Sequence, residues 1–380
     1  MKVKAAVLYG PGMKYEIEEV TLDPPKENEV LVRYAATGMC HSDEHLVTGD
    51  MVLPAEISDA MGWLQFPMIA GHEGAGVIEE VGPGVTGFQA GDHVVTSFIP
   101  ACGTCPSCVT GHQNLCDLGN NLLSGRMADG TSRFHTAKGD DCATMCALGT
   151  FAEYGVLGTA SLVKIPGHLP LDKAALVACG VTTGFGSAVR AADVQPGETV
   201  VVIGIGGVGM NAVQGAALAG ARYVIAVDPV EFKREQAPLF GATHTAASIE
   251  EAAGLVGQLT WGRNADKVIL TTSVAEGSMI APMMGLTAKG GRAVVTAVAN
   301  MFATDVQLSL FDLAMSQKQL VGCLFGMSNP RFDIPQLLGL YEAGKLKLDE
   351  LITRTYTLEQ INEGYQDMRD GKNIRGVIMY

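Results

Sequence analysis

The chain has 380 residues, a formal net charge of −14, 47 glycines and only 17% charged residues. This length accommodates two domains with complete cores, and the composition favours a tightly turned α/β enzyme over a disordered or coiled-coil protein. Because the balance is acidic and no basic stretch occurs, we expect neither nucleic acid nor an anionic membrane as a partner.

Two further properties of the whole chain bear on its location and chemistry. No stretch approaches the length of a membrane span, and the apolar run at the N-terminus is too short for a signal peptide. The nine cysteines are an odd number, and four of them are clustered. Without an export signal, metal binding explains them better than disulfides do. We therefore expect a cytoplasmic protein that binds metal.

The N-terminal part of the chain predicts a small β-barrel. Residues 1–35 alternate apolar and polar side chains between turns, and the strand Glu29–Tyr34 leads into the loop that contains Cys40. Residues 50–65 form an excursion with a short helical middle, AEISDAMG, whose apolar side chains either cover a cleft or pack locally. The stretch Gly74–Val95 is rich in strand formers and punctuated by glycine, which is typical of barrel strands.

A cluster of four cysteines follows: Cys102, Cys105, Cys108 and Cys116. Four thiolates at this spacing, in a loop of small and turn-forming residues, favour a closed tetrahedral structural zinc site. Disulfides and an iron–sulfur cluster are the alternatives; the cluster is the weaker one because no proline follows the last cysteine. Residues 117–148 are polar and irregular, and we expect a long loop anchored by this site. Its two other cysteines are assigned to packing or to a pocket wall.

Three distant pieces of sequence each supply one further metal ligand: Cys40 in GMCHSDEHL, His72 in AGHEGAG and Cys179 in VACGVTTG. No piece is convincing alone, because a single cysteine is usually a small buried apolar residue. Together, two thiolates and one imidazole leave the fourth position of a zinc ion to water or substrate, which is the ligand set of a catalytic site.

From Thr199 onward, strands alternate with helices, which predicts a parallel doubly wound sheet. The first strand runs into a glycine turn and a helix, and Asp228 ends the next strand; the glycines are Gly204, Gly206, Gly207 and Gly209. In this context the glycines admit a pyrophosphate at the helix N-terminus, and the acid holds the ribose hydroxyls. Because Asp228 repels a 2′-phosphate, we expect NAD rather than NADP.

The pattern of elements changes again after LVGCLFG, which predicts the last strand of this sheet, and the chain closes with a strand in IRGVIMY. We expect the C-terminal segment to rejoin the N-terminal domain. The predicted organisation is therefore a zinc-binding catalytic domain of residues 1–180 and 325–380, with an NAD-binding domain of residues 181–324 inserted in it.

Taken together, these motifs make the chain similar to the zinc-dependent medium-chain alcohol dehydrogenases. The resemblance covers essentially the whole length: the Cys40 loop, GHE, the four-cysteine lobe, DGTSRF, CG-x-T-T-G, GIGGVG and IRGVI. It most resembles the actinobacterial nicotinoprotein-like branch, whose members use the nitroso dye NDMA as an artificial acceptor. The resemblance implies an α/β fold, with a GroES-like β-barrel catalytic domain and a doubly wound Rossmann nucleotide-binding domain.

The resemblance also implies roles for individual residues. Around the catalytic zinc, Asp43 would orient His72, Glu73 would serve as an alternative ligand, Ser42 would touch the substrate oxygen and His45 would pass the proton to solvent. Along the cofactor, the implied contacts are Thr183, Val208 and Phe325 at the nicotinamide, Lys233 at the adenosine ribose, and His41 and Arg375 at the pyrophosphate. The family often has arginine in place of His41, which implies a weaker or pH-dependent phosphate contact here.

The implied activity is hydride transfer between an alcohol and NAD, giving an aldehyde or ketone. Two zinc ions per chain are expected, one catalytic and one structural, and the NAD either exchanges freely or stays bound. A homodimer or homotetramer is expected because two predicted apolar strands at or near the end of the sheet, VVTAVANM and VQLSLF, need cover.

Two departures from the family pattern bear on the substrate. The segment between Cys40 and His72 is longer than usual, so residues 51–65 either wall a channel for bulky hydrophobic alcohols or pack locally. Further candidates for the channel wall are Phe98, Met145 and Leu148. Relatives that oxidise formaldehyde as a thiol adduct carry arginine where this chain has Asn120, which weakens that alternative. A metal-free regulator that binds nucleotide is a third reading, and the complete ligand set argues against it.

Overall fold

The computed structural model describes residues 1–380. The chain divides into two compact units. The first consists of Met1–Cys179, Asn329–Glu342 and Leu348–Tyr380, and the second consists of Gly180–Ser328 and Ala343–Lys347. The short segment Ala343–Lys347 therefore groups with the second unit, although the chain on both sides of it groups with the first.

The chain contains 18 β-strands and 12 α-helices. The strands are β1 Lys2–Leu8, β2 Glu16–Leu22, β3 Glu29–Gly38, β4 Met68–Ile69, β5 Glu73–Val81, β6 His93–Thr96, β7 Phe134–His135, β8 Asp141–Thr144, β9 Tyr154–Gly158, β10 Leu162–Ile165, β11 Thr199–Ile203, β12 Tyr223–Val227, β13 His244–Ala246, β14 Ala265–Leu270, β15 Thr287–Val295, β16 Gln319–Gly322, β17 Ile352–Tyr356 and β18 Arg375–Met379. The α-helices are α1 His41–Thr48, α2 Ala55–Met61, α3 Pro106–Val109, α4 Leu171–Val177, α5 Gly180–Gly186, α6 Gly207–Leu218, α7 Glu231–Gln236, α8 Ile249–Leu259, α9 Ile280–Leu286, α10 Leu310–Met315, α11 Pro330–Glu342 and α12 Ile361–Arg369.

Five strands of the first unit close into a barrel in the order β1-β2-β7-β8-β4. The barrel strands β7 and β8 lie inside residues 117–148, which we expected to be one irregular loop. That expectation was wrong for these strands. At two and four residues they are too short to show a hydrophobic period, and their pairing with β2 and β4 defines them.

A second sheet in the first unit brings the metal-ligand segments together. Its order is β10-β6-β5-β3-β18-β17, and β9 also pairs with β3. The antiparallel register sets Gly38, at the end of β3, opposite Glu73, at the start of β5, and opposite Val377 of β18. A Cβ at Gly38 would collide with the carboxylate of Glu73, so this close approach requires glycine.

A buried arginine fixes one corner of the barrel. Arg133 is 2% exposed, and its guanidinium donates to Glu29 at 2.6 and 2.9 Å and to Asp129 at 2.9 Å. The pairing joins the start of β3 to the residue before β7. The motif DGTSRF, which contains Asp129 and Arg133, therefore has a structural role in the first unit.

The second unit is built on a six-stranded parallel sheet in the order β13-β12-β11-β14-β15-β16. The prediction of a doubly wound parallel sheet is confirmed. The predicted strand VQLSLF was wrong: the helix α10 begins at Leu310, because the side chain of Ser309 accepts from the backbone N–H of Asp312 and caps it.

None of the helices is by itself both long and apolar enough to cross a membrane. The neighbouring segments Leu171–Val177 and Gly180–Ala191 meet that test only when they are joined across the break between them.

Candidate metal centres and active site

Four buried side chains of the first unit form what we call the catalytic metal group: Cys40, His72, Glu73 and Cys179. Their possible ligand atoms all lie within 4.8 Å of one another. Cys40 immediately precedes α1, His72 immediately precedes β5, Glu73 is the first residue of β5, and Cys179 follows α4. These residues are far apart in the sequence. The pairing of β3 with β5 brings the segment that contains Cys40 next to His72 and Glu73.

The two thiols of this group share a hydrogen bond. The interaction with Cys179 lowers the pKa of Cys40 well below its usual value, although burial opposes this, and the charge of His72 lowers it further. The same interaction, together with burial, raises the pKa of Cys179. The lowered pKa of Cys40 favours its thiolate form, which is the form that binds a soft divalent cation.

His72 is held in place by a carboxylate on α1. Asp43 Oδ1 lies 3.2 Å from His72 Nδ1 and accepts the backbone N–H of Gly71 at 2.8 Å. Nδ1 therefore acts as the donor, and Nε2 is the nitrogen left for a metal, which is the usual arrangement behind a ligating histidine. The ring of Phe98 packs edge-on against His72 with centroids 5.8 Å apart.

Glu73 forms a buried ion pair with Arg375. Both residues are at most 4% exposed, and the guanidinium contacts Glu73 Oε2 directly. Burial raises the pKa of Glu73 to about 7, although the charge of Arg375 opposes this. Arg375 therefore contacts the catalytic metal group through Glu73, whereas its predicted contact was with the pyrophosphate. Glu73 can offer an oxygen to a metal without leaving an unpaired charge behind.

Ser42 and His45 lie on α1, close behind Cys40. Ser42 Oγ is 3.7 Å from Cys40 Sγ. His45 is 4% exposed, and its Nδ1 is 3.1 Å from Asp50 Oδ2, which also accepts the hydroxyl of Thr48 at 2.6 Å. Our reading of the sequence missed Asp50. The only signal for it is the dipeptide Gly49-Asp50, in which a left-handed glycine ends α1 and turns the acid back toward the helix.

The four-cysteine group lies around α3 in the same unit. Cys102, Cys105, Cys108 and Cys116 place their sulfur atoms within 4.8 Å of one another. Hydrogen bonds from Thr104 lower the pKa of Cys102 to about 6. The backbone N–H groups of Thr104 and Cys105 donate to its sulfur at 3.4 and 3.3 Å. Four sulfur donors closing on one point fit a tetrahedral zinc ion that has no open position.

The glycine turn of the second unit connects β11 to the N-terminus of α6. A Cβ at Gly209 would collide with the carbonyl oxygen of Gly204, so glycine is required for the helix to pack on the strand. At Gly206 a Cβ would meet nothing within 4 Å, which leaves the helix N-terminus open to a ligand. This cradle fits a pyrophosphate group.

Asp228 follows β12 and faces this turn. Its Oδ2 accepts the backbone N–H of Ile205 at 3.0 Å, and its Oδ1 accepts that of Val230 at 2.9 Å. Lys233 Nζ lies 3.8 Å from the same carboxylate. Arg234 donates to the carbonyl oxygens of Asp228 and Pro229. Two basic side chains therefore stand beside the acid. The prediction of NAD from the sequence did not take these two charges into account.

The three residues expected along the nicotinamide come together within the second unit. A Cβ at Gly326 would lie 2.8 Å from the carbonyl oxygen of Thr183, and one at Gly184 would collide with that of Val208. Phe325 is 1% exposed and has a left-handed backbone with φ of 54°. His41 is the first residue of α1 in the first unit and is partly exposed.

The comparisons with known families match both parts of the chain. The description "Alcohol dehydrogenase GroES-like domain" matches residues 26–167, and "Zinc-binding dehydrogenase" matches residues 207–343. The chain belongs to the zinc-binding alcohol dehydrogenases. As a member of this family it is an oxidoreductase with a GroES-like domain, and the expected fold is confirmed.

Individual relatives narrow this placement. The chain is 53% identical to the NDMA-dependent alcohol dehydrogenase of Amycolatopsis methanolica, over 100% of this chain and 99% of that protein. It is 51% identical to the putative alcohol dehydrogenase D of Mycobacterium tuberculosis (strain ATCC 25618 / H37Rv), over 100% of both. Such similarity places the chain in the NDMA-dependent branch of the zinc alcohol dehydrogenases.

Solved structures of the family show the same fold. Benzyl alcohol dehydrogenase from Acinetobacter calcoaceticus aligns with a TM-score of 0.89 and 29% identity, over 100% of this chain and 99% of that one. An alcohol dehydrogenase zinc-binding domain protein from Burkholderia ambifaria aligns with a TM-score of 0.91 and 32% identity, with the same coverage.

Proposed function

We propose that this protein interconverts a primary or secondary alcohol with its aldehyde or ketone by hydride transfer to NAD. One catalytic and one structural zinc ion bind to each chain. The observation that carries the proposal is the buried convergence of Cys40, His72 and Cys179, with Asp43 behind the histidine. The open glycine turn supplies the nucleotide site that this chemistry needs, and the four-cysteine group holds the structural zinc ion.

The side chains of the metal group divide the work between them. When zinc is bound to Cys40, His72 and Cys179, it supplies a positive charge that lowers the pKa of a hydroxyl group placed beside it. Asp43 keeps Nε2 of His72 directed at the metal position. Glu73 would be an additional ligand for the zinc, and Arg375, which contacts its carboxylate, would balance its charge.

The proton of the alcohol leaves along α1. Ser42, whose hydroxyl lies beside the ligand set, accepts this proton while it passes its own hydroxyl proton towards His45, which carries it onward. The bond from His45 Nδ1 to Asp50 leaves Nε2 as the basic nitrogen of the ring. Asp50 has a side chain that is 28% exposed, so it can release the proton to solvent.

The nucleotide lies on the second unit. When NAD is bound, its nicotinamide supplies the two-electron acceptor of the reaction. Gly206 lets the pyrophosphate approach the N-terminus of α6, and Asp228 accepts the ribose hydroxyls on the lone pairs that Ile205 and Val230 do not use. The NDMA dependence in the name of the Amycolatopsis relative supports a second step, in which an electron acceptor such as NDMA reoxidises the reduced cofactor.

The preferred substrate is a bulky hydrophobic alcohol. Phe98 packs on His72, and Leu64, Phe66 and Leu122 also pack, partly buried, against the core of the first unit. Met145 and Leu148 are at most 5% exposed and belong to that core. These apolar side chains suit one hydroxyl on an apolar body. A structural neighbour is a benzyl alcohol dehydrogenase, which agrees with this preference.

The protein is proposed to act as a homo-oligomer, most simply a dimer. Large apolar side chains around the edge strand β16 are exposed: Phe302 at 59%, Leu310 at 73%, Phe311 at 77%, Met315 at 70% and Leu324 at 47%. An edge strand with such neighbours needs cover in water, and a second copy of the same edge provides it.

Identification of the bound nucleotide in freshly purified protein tests this function most directly. A panel of alcohols is then assayed with free NAD and with NDMA as acceptor. We expect NAD or NADH in the protein, or its uptake on titration, and faster turnover of benzyl alcohol than of ethanol. Lack of nucleotide binding together with lack of alcohol oxidation with either acceptor would refute the proposal.

Formaldehyde is the second substrate to assay, with and without glutathione or mycothiol. It tests the thiol-dependent alternative, which the 36% identity to the S-(hydroxymethyl)glutathione dehydrogenase of Paracoccus denitrificans keeps open. Asn120 lies in the turn of 3-10 helix Asp117–Asn121. Because an amide replaces the expected guanidinium, we expect no stimulation by either thiol.

A further inference from the structure

Four buried polar atoms behind the catalytic metal group have no protein hydrogen-bond partner. They are Tyr15 OH, Tyr365 OH, Asp43 Oδ2 and Glu44 Oε2. The four residues are between 0% and 6% exposed, so bulk solvent does not reach them. Leaving one such atom unsatisfied costs free energy, and four together call for a common explanation.

Contacts between α12, α1 and Tyr15 place the four side chains close to one another. Arg369 of α12 donates to Glu44 Oε1 at 2.5 Å, which docks α12 on the first turn of α1. Tyr365 stands one helical turn before Arg369 and therefore shares its face of α12. Tyr15 stacks on Tyr365 with ring centroids 5.7 Å apart. The side chain of Asn362 in α12 accepts the backbone N–H of Tyr15 and donates to its carbonyl oxygen.

The charges of the cluster are complementary. Burial raises the pKa of both tyrosines well above the usual value, and the carboxylates of Asp43 and Glu44 raise it further. The two phenols therefore keep their protons and act as donors, while the two carboxylate oxygens act as acceptors. Two donors and two acceptors that do not reach one another directly match the requirements of a buried water molecule, which has two to four polar partners.

We propose that Tyr15, Tyr365, Asp43 and Glu44 enclose one or two ordered water molecules, which we call the tyrosine water site. Through it, the carboxylate of Asp43 is linked to the ion pair of Glu44 and Arg369 at the surface. Asp43 Oδ1 is occupied by His72 and Gly71, so a bond from the water to Oδ2 fixes the remaining rotation of the carboxylate. Tyr15 and Tyr365 are thereby positioning residues for the zinc ligand His72.

The inference rests on the proposed zinc site, and its first test is a high-resolution crystal structure of the native protein crystallised with excess zinc. Water within hydrogen-bond distance of at least three of the four atoms is expected. A zinc-loaded crystal without water there refutes the inference and leaves the proposed function intact. Conversely, water at these atoms with no zinc at Cys40, His72 and Cys179 refutes the proposed zinc site and supports the water site.

The second test measures the affinity of the catalytic zinc in Tyr15→Phe and Tyr365→Phe by competition with a chelator. Each variant removes one hydroxyl and retains the ring, so the core packing is preserved. We expect roughly tenfold weaker zinc binding in each, within the range seen when the support of a metal ligand is lost. Because both hydroxyls bind the same water, the double variant should lose less than the product of the two effects.

Tyr356→Phe is the matched control. Tyr356 is 5% exposed, and its hydroxyl donates to Asp367 at 3.0 Å, a carboxylate outside the metal group. This variant loses a buried hydroxyl of the same unit and should keep native zinc affinity. Unchanged affinity in both Tyr15→Phe and Tyr365→Phe, or an equal loss in Tyr356→Phe, would overturn the positioning role.

Discussion

Asp50 decides which ring nitrogen of His45 carries the proton. In Asp50→Asn the partner of Nδ1 can present either an amide N–H or a carbonyl oxygen, so the proton relay loses its fixed direction. We expect kcat/KM for alcohols to fall by at most about 10²-fold, because His45 itself remains. Steady-state kinetics across pH check this.

Thr48→Val is the control for that variant. It removes the 2.6 Å bond from Thr48 to Asp50 and keeps the pair of Asp50 and His45. Its rate should stay near native. If Thr48→Val and Asp50→Asn lost activity equally, Asp50 would act only as the end of α1 and not in proton transfer.

Asp228 has two tasks, which the comparison of two substitutions separates. Its carboxylate repels a 2′-phosphate, and it also holds the backbone of Ile205 in the glycine turn. Asp228→Ala should therefore relax discrimination against NADP, since Lys233 and Arg234 remain nearby. It should also weaken NAD binding, because the carboxylate that holds Ile205 is lost. Asp228→Asn keeps an acceptor for Ile205 and should weaken NAD less. Direct titration of both nucleotides measures this; tighter NADP than NAD binding by the native protein would contradict the assignment.

At the scale of elements, the lobe around α3 and the loop before α1 should respond differently to loss of a cysteine. Cys105→Ser opens the closed four-sulfur site, so the lobe loses the metal that folds it and the unfolding temperature drops. Cys40→Ser should lose one zinc and all turnover while the unfolding temperature stays near native. Elemental analysis and calorimetry test both. One zinc or fewer in active native protein would contradict the two-site assignment.

The excursion around α2 can be shortened without changing its neighbours, because hydrogen bonds join its two ends. Gln65 binds both the N–H and the carbonyl of Leu53, at 2.8 and 3.0 Å, and Leu64 donates to Ser124 at 2.8 Å. Replacing residues 54–62 with a short glycine linker should raise KM for benzyl alcohol more than for ethanol, if the excursion walls the substrate channel. Equal changes for both alcohols, with lower stability, would assign it to packing alone.

At the scale of the whole molecule, the exposed apolar side chains near β16 predict self-association. Phe311→Asp should shift the protein to monomers, because a charge on a 77% exposed aromatic opposes its burial in a contact. Phe332→Asp is the control, since Phe332 is also exposed, at 60%, but lies on α11 of the first unit. Light scattering at micromolar concentration distinguishes the outcomes. A native monomer would refute the proposed oligomer.

Features that depend on residues close together in the sequence could be predicted from the sequence. The four-cysteine group spans residues 102–116, and the glycine turn and Asp228 span 204–228, so spacing alone defines their chemistry. The parallel sheet was predictable for the same reason, because each buried strand is a continuous apolar run between helices. The short strands β7 and β8 were missed, since only their partners across the barrel make them strands.

The catalytic metal group shows what only the tertiary structure decides. Its ligand types could be named from three short motifs, but their convergence depends on the register that sets Gly38 opposite Glu73. The pairing of Arg375 with Glu73 and the stacking of Tyr15 on Tyr365 join residues more than 300 positions apart, and no local pattern encodes them. Local spacing thus determined the chemistry of each motif, and the long-range strand and helix packing determined which motifs act on one another.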